Sequence, residues 1–171
     1  MRRFVLATMA CGFSIAPAAA QAPNLADLPA ALKPAGLSVY LEVPATGVQI
    51  YTCGKSDAGA ATWVFKAPEA TLLDAQKKQI GKHYAGPTWE ALAGGKVVGA
   101  VKGNAPAPEA GAIPWLLLDI KSSEGASVFN QAKGILRVST HGGVAPTQGC
   151  DAAHAGQEAR VPYTATYLFL K

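Results

Sequence analysis

Residues 37–53 read L-S-V-Y-L-E-V-P-A-T-G-V-Q-I-Y-T-C, and the period of this stretch decides the fold class. Leu37, Val39, Leu41 and Val43 alternate with Ser38, Tyr40 and Glu42, as in a strand with one buried face. After Pro44-Ala45-Thr46-Gly47 the alternation resumes, with Val48 and Ile50 opposite Gln49 and Tyr51. Proline and glycine punctuate turns, so the stretch predicts a β-hairpin that turns at 44–47.

Working outward, residues 62–66, 80–84, 88–92, 96–102, 135–140 and 161–170 carry β-branched, aromatic or alternating patterns and read as further strands. Residues 113–120, I-P-W-L-L-L-D-I, are almost continuously apolar, as expected of a strand buried on both faces. Residues 67–79 admit two readings, an extended excursion or a short helix; the helix is kept, because Pro68 and Glu69 suit a first turn and Leu72, Leu73 and Gln76 could share a face. The expected fold is therefore all-β, an antiparallel sandwich or barrel of about eight or nine strands with minor helix.

Residues 1–20 combine Arg2-Arg3, an apolar run from 4 to 16 and the small residues Ala18-Ala19-Ala20, the three-part pattern of a secretory signal peptide. A lead-in arm over 21–36 follows, partly ordered at best, in which Leu25, Leu28 and Leu32 could form an amphipathic turn. Residues 37–171 then form a single β domain. Without the first twenty residues, thirteen basic side chains face eleven acidic ones, a net charge of +2. No basic cluster exceeds the pair Lys77-Lys78, so neither nucleic acid nor an anionic membrane surface is expected as a partner. No stretch after residue 20 is apolar for long enough to span a bilayer as a helix. The expected location is secreted or periplasmic. There Cys53 and Cys150, the two cysteines beyond the signal segment, are expected to form one disulfide.

The densest group of chemically capable side chains is I-G-K-H-Y-A-G-P-T-W-E, residues 80–90. His83, Tyr84, Trp89 and Glu90, with Thr140, His141, Gly142 and Gly143 from a second segment, make up the candidate ligand-binding set. Trp89 and Tyr84 could stack on a glycan or another flat or apolar ligand, and paired glycines permit close approach of backbone. The same histidines offer a rival reading. His83, Glu90 and His141 could supply an acid and a base, or ligands to a divalent metal, in a hydrolase. No H-x-H or H-E-x-x-H spacing places two of them on one face, however, and no metal is expected. A third reading is a structural envelope protein without a pocket. The chain lacks G-x-S-x-G, and it lacks G-x-G-x-x-G with alternating β/α units, which excludes a nucleophile-elbow hydrolase and a dinucleotide-binding domain. No cofactor is implied.

Five blocks carry a family resemblance: G-V-Q-I-Y-T-C at 47–53, residues 80–90, I-P-W-L-L-L at 113–118, T-H-G-G-V-A-P-T-Q-G-C at 140–150 and V-P-Y-T-A-T-Y at 161–167. In this order they resemble a family of exported bacterial and fungal proteins, the domain of unknown function 3455. The resemblance implies export and a β-rich domain, and it assigns no reaction.

Overall fold

The 37–53 stretch is extended, but it does not turn. In the computed structural model, which describes residues 22–171, strand β1 runs unbroken over Val39–Lys55. The predicted hairpin is thus one strand, for two physical reasons. Pro44 stands just before the pairing with the next strand begins at Ala45, where β1 has a neighbour on one side, and an edge position tolerates a residue without an N–H. Gly47 is a packing glycine rather than a turn glycine. A Cβ there would lie 2.1 Å from the Glu69 carbonyl oxygen and 2.5 Å from the Ala70 Cα, so only glycine allows the two strands to approach.

Seven strands follow: β2 Ala61–Leu73, β3 Gln79–Tyr84, β4 Thr88–Ala91, β5 Lys96–Ala105, β6 Trp115–Glu124, β7 Gly134–Gly142 and β8 Glu158–Leu170. Each pairs antiparallel with the next, and β8 returns to β1 from Val39↔Leu170 to Thr52↔Glu158. The eight strands therefore close into a barrel, which leaves no open sheet edge. The helix expected within 67–79 is absent. β2 continues through Leu73, with Pro68, Ala70 and Leu72 buried in alternation, and a turn follows in which Asp74 accepts from the backbone of Gln76 and Lys78. Ladder bonds on both sides outweigh the local helical cue. The only helical elements among the described residues are three single 3-10 turns: Leu25–Asp27, Ala30–Leu32 and Ala152–His154.

Two apolar layers hold the barrel. The inner one includes Leu72, Trp89, Ile135, Tyr167 and Phe169. The β6–β7 connection plugs one end with Phe129, which is fully buried and stacked on Phe169 at 4.8 Å. Tyr40 ties this plug down by donating to the Val128 and Phe129 carbonyls. The outer layer lies under the N-terminal arm, where Leu28 and Leu32 are buried against Leu117, Leu136, Leu168 and Leu170. This arm, expected to be loose, packs closely: a Cβ at Gly103 of β5 would lie 2.1 Å from the Ala31 carbonyl oxygen. The arm also explains the apolar run at 113–120. Leu118 belongs to the inner layer and Leu117 to the outer one, so both faces of β6 are covered. Leu32→Ala is expected to lower stability by about 2–3 kcal/mol, since it removes a fully buried side chain; urea unfolding measures this directly. A change below a few tenths would mean that the arm contributes no packing.

Candidate functional site

The end of the barrel opposite Phe129 is hollow. A cavity of about 280 Å³ opens there. His83 and Trp89 form part of its wall with Tyr167 of β8. The turn Ala85-Gly86-Pro87 between β3 and β4 and the side chains of Phe65 and Val101 also line it. The last two are more than half exposed. Apolar side chains from β6, Leu116 and Leu118, line the wall as well.

The local sequence explains this placement. His83 and Trp89 are direct cross-strand partners in the β3–β4 hairpin, and alternation sends both side chains inward, where they are 3% and 1% exposed. Their rings stack at 4.5 Å, and each contacts the Tyr167 ring, at 5.0 and 5.3 Å. His83 Nδ1 lies 2.9 Å from the Thr88 carbonyl oxygen. A carbonyl only accepts, so Nδ1 carries the proton and Nε2 is the ring's acceptor. Burial lowers the His83 pKa from its ordinary value to about 3, with the Thr88 carbonyl opposing and Arg137 adding to the shift. The ring is therefore neutral at physiological pH.

Tyr84 and Glu90 occupy the opposite face of the same hairpin, outside the barrel. The Tyr84 hydroxyl donates to Glu90 Oε2 at 2.7 Å, which raises the phenol's pKa. The 140–143 segment closes the wall rather than lining it. Thr140 donates to the Ile113 carbonyl at 2.6 Å, Gly142 accepts from the Ile113 N–H at 2.9 Å, and Gly143 accepts from the Tyr51 hydroxyl at 2.6 Å. Gly142 and Gly143 have φ of +64° and +83°, the left-handed region that glycine enters without strain. His141 is exposed and pairs with Glu109. The proposed acid, base or metal trio is thereby divided: His83 is inside, while Glu90 and His141 are outside with other partners. Among the described residues no group of three or more His, Cys, Asp or Glu could hold a metal ion.

Sequence reasoning did not assign Gln49, Tyr51 or Arg137 to the site, yet all three line the cavity. Arg137 lowers the pKa values of Tyr51, Tyr163 and Tyr167, against the larger upward effect of burial on each. Its charge also acts on His83, and its side chain bonds to the Tyr167 hydroxyl. The available signal was its parity: Arg137 is two residues from Ile135, which faces inward.

Cys53 and Cys150 are joined as a disulfide, which ties the far end of β1 to the loop before β8. The family model described as "Protein of unknown function (DUF3455)" matches residues 34–171. The chain belongs to this family. Its match spans all eight strands and every residue named on the cavity wall, and leaves out most of the packed arm. No curated protein and no solved structure matches the chain.

Proposed function

We propose that this protein is an exported binding protein that holds a small, largely apolar molecule inside its barrel. The observation that carries the reading is the cavity itself: about 280 Å³, formed within the closed sheet, walled mainly by apolar and aromatic side chains with a few polar groups among them. Small-molecule sites have this composition, and mouths of β-barrels are among their usual places. The volume stands near the lower limit of about 300 Å³ for such sites, which favours a compact molecule over an extended glycan. Export is supported by the signal-peptide pattern of residues 1–20, which lie outside the described residues, and by the disulfide. No helix among the described residues is long and apolar enough to cross a membrane.

Val101→Trp tests this. Val101 lines the mouth and is 55% exposed, so a larger side chain there can fill the opening without entering the core. In a thermal-shift screen of small apolar compounds, ligands that raise the wild-type Tm are expected to lose their effect on Val101→Trp. Glu90→Gln, on the outer face, is expected to keep the full shift. Full binding by Val101→Trp would place the ligand elsewhere, and a screen with no wild-type shift would remove the reading.

A further inference from the structure

Charge on the cavity wall is one-sided. No Asp or Glu lines it, and its two cations are Lys66 and Arg137. Lys66 is already matched, with Nζ 2.5 Å from Glu158 Oε1. Arg137 is not, for no ion pair among the described residues includes it. Its Nε and Nη2 both donate to one neutral acceptor, the Pro114 carbonyl oxygen, at 3.1 and 2.8 Å. Of the five N–H groups of a guanidinium, three lie beyond the Pro114 bonds, and one of these has the neutral Tyr167 hydroxyl as its partner, so no anion meets any of them. Of the wall's buried side-chain donors, Trp89 Nε1 has no hydrogen-bond partner and Gln49 Nε2 faces only the neutral Tyr163 hydroxyl.

We infer that the molecule held in this cavity is a small organic anion, a carboxylate on a compact apolar body, with its charged group against Arg137. The inference rests on the proposed binding role and specifies its ligand. A planar guanidinium recognises a carboxylate through parallel N–H···O bonds, and it does so more strongly where water is thinned by apolar walls. A cationic ligand meets the opposite conditions: an unmatched positive charge, surplus donors and no anion. The remaining groups around Arg137 do not cancel the preference. His83 is neutral, and Tyr51, Tyr163 and Tyr167 all have pKa values raised by burial, so none of the four supplies a competing charge at neutral pH.

The test is a matched series on the mature, disulfide-bonded chain: benzoate, benzyl alcohol and benzylamine, and hexanoate, hexanol and hexylamine, titrated by calorimetry at pH 7. Each carboxylate is expected to bind about tenfold or more tightly than its alcohol, with the amine weakest. Arg137→Gln is expected to weaken the acid at least tenfold more than the alcohol and so to abolish the difference between them, and Arg137→Lys to keep part of it. The wild-type series decides the matter even if neither variant folds. Equal binding of acid and alcohol, or preference for the amine, overturns the anion inference and leaves the cavity reading standing. Failure of all six to bind overturns both.

Discussion

Replacing Cys53 and Cys150 together by alanine is expected to lower the unfolding free energy by about 4–5 kcal/mol, because the bond closes a loop of 97 residues and that closure acts mainly on the unfolded chain. The native contacts around it do not depend on the sulfur bridge. β1 and β8 are already laddered as far as Thr52↔Glu158. Beyond that point Cys53 N donates to the Gln157 carbonyl, and Gly156 N donates to the Cys53 carbonyl, both at 2.8 Å. The folded barrel should therefore persist without the bond, with the 144–157 loop released and the Trp63 Nε1 bond to the Gln148 carbonyl (2.8 Å) weakened. The measurement is urea unfolding of the double variant against wild type, with circular dichroism to confirm that the sheet is retained. A loss below about 1 kcal/mol would show that the unfolded chain is already compact near these residues, and the loop-closure account would then not hold.

Local patterning and chain closure contributed differently to what could be read in advance. The 80–92 stretch was legible in detail. Ile80, Lys82 and Tyr84 alternate with Gly81 and His83, and Trp89 and Ala91 with Thr88 and Glu90; the burial of β3 follows this, and that of β4 follows it from Trp89 to Ala91, with Thr88 buried as well. That same alternation separates Tyr84 and Glu90 from His83 and Trp89. Grouping all four in one pocket set sequence proximity above strand parity. At Pro44, Gly47 and Pro68 the residue types resemble punctuation, yet strand pairing overrides them. A glycine required by an approaching backbone has the same letter as one required by a turn. Arg137 and Gln49 were hidden for a different reason. Parity with Ile135 could give the face of Arg137, but the roles of both residues exist only because β8 closes on β1 and brings β7 and β1 around to the β3–β4 hairpin, and that contact carries no local signature. The outer layer was half legible. The apolar run at 113–120 announced two covered faces, but nothing in it named the arm as the cover.

Acid is expected to destabilise this fold through a single buried ring. His83 has its pKa lowered from 6.5 to about 3, so the native state favours the neutral imidazole. Above about pH 6.5 neither state carries the proton, and the contribution is fully present. Below it the unfolded chain binds a proton that the barrel refuses, so stability falls with pH by about 1.4 kcal/mol per unit and the loss levels off once the folded ring titrates near pH 3. The full loss is about 4–5 kcal/mol, of which about 2 falls between pH 6.5 and 5, before most carboxylates begin to protonate. His83→Gln isolates the effect, since its amide can still donate to the Thr88 carbonyl but does not titrate. Urea unfolding at pH 7.5, 6.5, 5.5 and 5.0 should show a steeper decline for wild type than for the variant, by about 2 kcal/mol across the lower three points. Parallel declines would mean that His83 takes up its proton in the folded barrel. That ring would then be a third cation on the cavity wall, after Lys66 and Arg137, in direct contact with Trp89 and Tyr167, instead of the neutral acceptor that leaves Arg137 as the one unmatched charge there.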